Sequence, residues 1–128
     1  MTQTSILITG ASSGIGEALA LEYAAPGVFL GLSGRNAERL EDVALRCRSL
    51  GATVTADAIS VTDQGAMAEW IAGVDKAHPL DLVIANAGIS GGSGNAGESE
   101  TQARAIFDVN LNGVLNTVWP AVNAMRPR

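Results

Sequence analysis

The chain has 128 residues but only one cysteine, Cys47, one histidine, His78, one tyrosine, Tyr23, and one lysine, Lys76. A single cysteine excludes an intrachain disulfide and any multi-cysteine metal centre. Cys47 falls in a predicted helix and reads as a small apolar packing residue. His78 lies in a loop beside Pro79 with no catalytic motif around it, and reads as a surface or locally hydrogen-bonded side chain. No apolar run reaches the length of a membrane span, and the first residues lack the order of a secretory signal, so a cytoplasmic protein without membrane association is expected. Positive charge is scarce as well. Eight Lys and Arg stand against thirteen Asp and Glu, for a net charge of −5, and no basic stripe invites nucleic acid. Low-complexity tracts and solenoid repeats are absent. What remains is 47% hydrophobic content, enough for one core, laid out as strands alternating with helices. That rhythm calls for parallel strands joined by right-handed crossovers.

The informative stretch is Ser5 to Gly16, SILITGASSGIG. Ile6, Leu7 and Ile8 show no polar alternation, as a parallel strand covered on both faces would not. The run ends in a glycine-rich turn that opens a helix. Gly10 lets the chain leave the strand sharply, Gly14 would let backbone approach a pyrophosphate, and Gly16 would let the helix lie close to the strand. The helix start offers free N–H groups, with Ser12 and Ser13 adding hydroxyls that can cap it or hold phosphate oxygens, and Ile15 beginning its apolar side. The glycines alone leave open a plain strand-to-helix loop.

Further along, Val28 to Leu32 reads as a second strand and Ala37 to Leu50 as a helix with Leu40, Val43, Ala44, Cys47 and Leu50 inward. Val54 to Ala58 reads as a third strand. Gln64 to Lys76 reads as a helix burying Met67, Ile71 and Val74, capped by Thr62 or Asp63. Leu80 to Ala85 reads as a fourth buried strand. From about Glu98 a long helical pattern places Phe107, Leu111, Val114, Val118 and Val122 on one face, with Pro120 expected to kink it. The second strand ends at Ser33-Gly34-Arg35, where dinucleotide folds meet the adenosine ribose. No acid stands there to bind two ribose hydroxyls. Gly34 leaves room and Arg35 offers a planar donor fork, a combination suited to the 2′-phosphate of NADP(H) over NAD(H). A solvated Arg35 paired with Glu38 or Glu41 is the other reading.

The spacing TGASSGIG, the segment LVIANAGIS and the phrase FDVNLNG together resemble the short-chain dehydrogenase/reductase family. The resemblance implies a Rossmann-like doubly wound α/β sheet in order 3-2-1-4, forming an NAD(P)-binding domain over residues 1–128 that is incomplete at the edge of strand 4. It implies that Asn86, Ala87 and Gly88 pass the nicotinamide ribose, and that Ile59, Ser60 and Val61 form the adenine pocket. Ser60 departs from the family pattern, which commonly has an acidic residue there to meet the adenine amine. Ser13 likewise stands where some NADP-preferring relatives carry a basic residue. Asn110 matches the asparagine of the family's Asn-Ser-Tyr-Lys catalytic set. The serine and the YxxxK helix would lie in a C-terminal half that these residues do not contain, and Tyr23 and Lys76 are no substitutes.

The function implied is hydride transfer between NAD(P)H and a small carbonyl or alcohol substrate by the complete protein, with this stretch inactive alone. The long C-terminal helix, which in relatives helps build an oligomer, implies a homo-oligomer. A non-catalytic dinucleotide-binding module or sensor is the alternative. A Rossmann-like methyltransferase explains the glycine turn less well. The segment Ser90 to Gly97 is expected to be a pliant loop bordering the substrate.

Overall fold

A computed structural model describes residues 3–90, 97 and 99–128. In chain order these form β1 (Thr4–Ile8), α1 (Gly14–Tyr23), β2 (Val28–Ser33), α2 (Ala37–Ser49), β3 (Thr53–Asp57), α3 (Gln64–Ala77), β4 (Leu82–Ile84), α4 (Glu100–Phe107), a π-helical turn (Asp108–Asn112) and α5 (Gly113–Met125). Residues 91–96 of the expected pliant loop lie outside the described residues. The four strands are parallel and lie in the order β3-β2-β1-β4, with Ile6 opposite Leu30 and Leu82, and Leu30 opposite Val54.

Alternation along the strands sends successive side chains to opposite faces. Ile6, Ile8, Leu30 and Leu32 pack with Leu40, Val43, Ala44 and Cys47 of α2 and Ala20 of α1. Leu7 faces the other way, into a cluster with Met67, Trp70 and Ile71 of α3, Val109, and Ala121 of α5. Both faces are covered, which is why the strands read as unbroken apolar runs. Burial pushes the Cys47 thiol above its ordinary value, in keeping with a packing role. Asp63, not Thr62, caps α3 by accepting from the Ala66 N–H at 3.1 Å. His78 closes the same helix; its ring stacks on Phe29 at a centroid distance of 3.7 Å and pairs with Gln3.

Several elements differ from the sequence reading. β4 is shorter than Leu80 to Ala85. Leu80 is buried, yet its N–H goes to Asp75 Oδ1 at 2.9 Å and its carbonyl to Arg128 at 3.0 Å, so side chains take the groups a ladder would use. Leu50 is half exposed at the C-cap of α2, and Ile15, in the first turn of α1, is 71% exposed.

The largest correction concerns the C-terminal helix. It is interrupted by the π turn, where the Gly113 N–H reaches back to the Asp108 carbonyl, and it continues through Pro120 without a break. The buried positions are Val109, Gly113, Thr117 and Ala121, while Phe107, Leu111 and Val118 face outward. Size decides the face. A Cβ on Gly113 would lie 2.6 Å from Val61 Cγ2, so α5 approaches the loop after β3 closely enough that only small residues fit. Thr117 is accommodated because its hydroxyl donates to the Gly113 carbonyl at 2.8 Å.

Candidate cofactor cleft

Four of the described helices begin after a loop, and three of them satisfy their own N-termini. Asn36 caps α2, Asp63 caps α3 and Ser99 caps α4, each by accepting a backbone N–H three residues on. α1 does not. Ser13 sits at its N-cap in extended conformation with no side-chain hydrogen bond, so the first-turn N–H groups and both serine hydroxyls stay open.

The glycine turn before it is fixed from three sides. The Ala11 N–H donates to the Ser33 carbonyl at 2.9 Å, joining the turn to the end of β2. Thr9 Oγ1 accepts from both the Asn86 and Ala87 N–H groups at 3.1 Å, and Asn86 Nδ2 donates to the Gly10 carbonyl at 3.2 Å. These bonds tie the ends of β1 and β4 together. Gly10 adopts φ +66°, and a Cβ there would lie 2.7 Å from Ala87 Cα. A Cβ on Gly16 would collide with the Gly10 carbonyl and lie 2.6 Å from Asn86 Nδ2, so the helix rests against the strand end. At Gly14, also with positive φ, a Cβ would meet nothing within 4 Å.

Around this turn lies a cleft of about 280 Å3 at the C-terminal ends of the strands. It gathers Gly10, Ser12, Ser13, Gly14 and Ile15 with Arg35 from the end of β2, Ile59, Ser60 and Val61 after β3, and Asn86, Ala87 and Gly88 after β4. Gly16 alone among the sequence-selected binding residues does not line it. Ser33, Gly34 and Val109 line it as well. A Cβ on Gly34 would lie 2.9 Å from the Ser12 side chain, which explains the glycine before Arg35. Arg35 is exposed and forms no ion pair with Glu38 or Glu41; Glu41 instead binds Arg48 at 3.0 Å.

Asn110 lies in the π turn beside this cleft. Its amide closes a reciprocal pair on the backbone of Ile89, Oδ1 accepting from the Ile89 N–H and Nδ2 donating to the Ile89 carbonyl, both at 2.8 Å. It therefore orders the segment after Gly88, whose own Cβ position would be 3.3 Å from Asn110 Oδ1.

Thr9 and Ser33 escaped sequence reasoning. The signal for Thr9 was present: a polar residue at the end of a buried apolar strand needs a partner. Tyr23 and Lys76 sit near the C-termini of α1 and α3, on opposite faces of the sheet and at the end away from the cleft. Among the described residues no cluster of His, Cys, Asp or Glu could hold a metal ion, and no helix is long and apolar enough to cross a membrane.

A parallel sheet with a glycine turn at an uncapped helix, and a cleft where the strand order reverses between β1 and β4, defines the Rossmann class of nucleotide-binding folds. A family model described as short chain dehydrogenase matches residues 4–128, and the chain belongs to that family. It is 36% identical over 129 aligned residues to an uncharacterized oxidoreductase of Myxococcus xanthus, covering all of this chain and 51% of that protein. It is 32% identical to a 3-dehydrosphinganine reductase of Arabidopsis thaliana, covering 96% of this chain and 37% of that protein. The structure of an alcohol dehydrogenase from Thermococcus sibiricus complexed with 5-hydroxy-NADP superposes with a TM-score of 0.87 at 31% identity, over 98% of this chain and 54% of that one. The chain thus spans about half the length of the relatives it matches, or less.

The residues present fit a nicotinamide dinucleotide. The open first turn of α1 and the space in front of Gly14 suit a pyrophosphate, and Arg35 sets positive charge beside it.

Proposed function

We propose that residues 1–128 form the cofactor-holding part of an NADP(H)-dependent short-chain dehydrogenase, and that the whole protein acts on a small carbonyl or alcohol substrate. When bound, the nicotinamide supplies or accepts the hydride. The chain's own residues bind, orient and exclude. Gly14, Ile15 and Gly16 present N–H groups to the pyrophosphate, with Ser12 and Ser13 beside them. Ile59, Ser60 and Val61 receive the base, and Asn86 to Gly88 border the nicotinamide ribose. Asn110 is the residue of this chain assigned to the catalytic set, and its amide holds the Ile89 backbone beside the cleft.

The observation that carries the NADP(H) preference is Arg35: an exposed guanidinium at the end of β2, lining the cleft, with no carboxylate paired to it among the described residues. A dianionic 2′-phosphate would meet a planar donor fork there, while a ribose 2′-hydroxyl would find no acid to accept its proton. Arg35→Ala should weaken NADPH binding roughly 10- to 100-fold, the range for losing a charge-assisted hydrogen bond, and leave NADH unchanged. Calorimetric titration of both cofactors checks this, and equal losses for the two would overturn the assignment.

The alternative, a dinucleotide-binding module without catalysis, draws on the placement of Tyr23 and Lys76 away from the cleft. Such a module would bind NADPH but show no carbonyl-dependent oxidation of it in the full-length protein. The outward apolar stripe of α4 and α5 supports a homo-oligomer, and a cytoplasmic setting is part of the same proposal.

A further inference from the structure

Resting on the NADP(H) reading above, we propose that Arg39 is a second guanidinium for the cofactor's 2′-phosphate, acting with Arg35 beside the serines of the glycine turn. Ser12, Ser13 and Gly14 line two hollows. One is the cleft, which Arg35 lines from the end of β2. The other is a depression toward α2, which Arg39 lines from the first turn of that helix. The same three turn residues thus border both arginines.

A phosphate monoester carries up to two negative charges on three terminal oxygens. One guanidinium fork engages two of those oxygens and neutralises one charge, so the group has room for a second cationic donor. Ser13 brings a hydroxyl to the turn but no charge, and that hydroxyl makes no cap bond.

Arg39 is available for the task where its neighbours are not. Of the three arginines of α2, Arg46 bridges Glu17 and Asp42 at 3.3 and 3.2 Å, and Arg48 holds Glu41 and the Val54 carbonyl, both at 3.0 Å. Arg39 is exposed, and its guanidinium makes no ion pair or hydrogen bond among the described residues. Only its backbone is engaged, the N–H donating to Asn36 Oδ1 at 2.9 Å, which fixes the start of α2 and leaves the side chain free. Glu17 and Asp42 also border the depression, but Arg46 balances them. Glu38 is the third carboxylate there and has no ion pair among the described residues, so it offsets part of the Arg39 charge. The positive end of the α2 dipole adds to the arginine side. NADH carries a neutral hydroxyl where NADPH carries the phosphate, so Arg39 separates the two cofactors.

The test is calorimetric titration of the full-length protein with NADPH and NADH in four forms: unaltered, Arg35→Ala, Arg39→Ala and the double variant. Arg39→Ala should raise the NADPH dissociation constant about three- to tenfold, less than Arg35→Ala does because Glu38 offsets it, and leave NADH within twofold. The double variant should bind NADPH no more tightly than NADH. The exposed Arg39 side chain holds no contact that the fold needs, and Arg39→Gln repeats the measurement with the length of the side chain largely kept. A change below threefold for NADPH in Arg39→Ala, or an equal loss for both cofactors, would overturn the inference; a selective loss in Arg35→Ala alone would leave the NADP(H) reading standing. Failure of either arginine to discriminate, or of both cofactors to bind the unaltered protein, would overturn that reading and the inference with it.

Discussion

On the flank covered by α1 and α2, the outer surface is laced with charge: Arg46 bridges Glu17 and Asp42, and Arg48 joins Glu41 to the Val54 carbonyl. Leu45 and Leu50 are exposed there, but they stand among these charges. On the flank covered by α3 and α5, Phe107, Leu111, Leu115, Val118 and Trp119 are all exposed, and Leu82 of the edge strand is 38% exposed. Five large apolar side chains within thirteen residues form a stripe that charged neighbours do not break up. The contrast separates two tasks. The glycine turn and the first flank are held by contacts within the chain, whereas the second flank offers the kind of surface that proteins bury against other proteins.

The difference can be broken most sharply at the strand–helix joint. Gly16→Val forces a side chain into the Gly10 carbonyl and the Asn86 amide, which should lower unfolding free energy by about 3 kcal/mol and abolish NADPH binding together. Denaturant unfolding followed by titration checks both. Thr9→Val comes next. It strips the acceptor from the Ala87 N–H and one of the two acceptors from the Asn86 N–H, which keeps the Ile84 carbonyl, and should destabilise by about 1 to 3 kcal/mol, with weaker NADPH binding because the β1–β4 contact loosens.

Changes on the second flank should behave differently. Phe107→Glu with Trp119→Glu should alter the stability of the dilute protein by less than about 0.5 kcal/mol, leave NADPH affinity intact, and reduce self-association in sedimentation velocity. Loss of cofactor binding with unchanged association would erase the distinction between the flanks.

The smallest effect is expected where α5 is fastened to α3. Arg128 binds Asp75 through two nitrogens, at 2.7 and 3.1 Å, and holds its carboxyl below the usual carboxylate range, with the Leu80 N–H helping. A carboxyl whose value is lowered on folding contributes stability above its unfolded value and loses that contribution as pH falls through the folded one. Asp75→Asn should therefore flatten the stability profile in the acid range below about pH 4, with little change in shape near neutrality, as thermal unfolding across pH would show.

Much of this arrangement is legible in the sequence because it rests on local signals. The apolar run Ile6 to Ile8, the glycine spacing and the segment LVIANAG mark strand ends, DVNLNG marks the π turn beside the cleft, and the resemblance these segments carry implies the strand order and most of the cleft lining. The contacts that fasten those strand ends are not local. Thr9 meets residues 77 and 78 positions away, and Arg128 meets Asp75 across 53. Nor does apolar periodicity settle which face of α5 turns inward. It favours Phe107, Leu111 and Val118 for their size, whereas the structure selects Gly113, Thr117 and Ala121 for their smallness, and the π turn shifts the phase between them. Ile15 misleads for a related reason: an apolar residue beside an uncapped helix start faces the cleft mouth, not the core.

The most direct test of the whole account is residue-resolved amide NMR of the protein during addition of NADPH. The account predicts large shifts at Gly14, Ile15, Gly16, Arg35, Asn86, Ala87 and Gly88, with Leu111, Leu115 and Trp119 unmoved. Shifts confined to α4 and α5 with a silent glycine turn would contradict it.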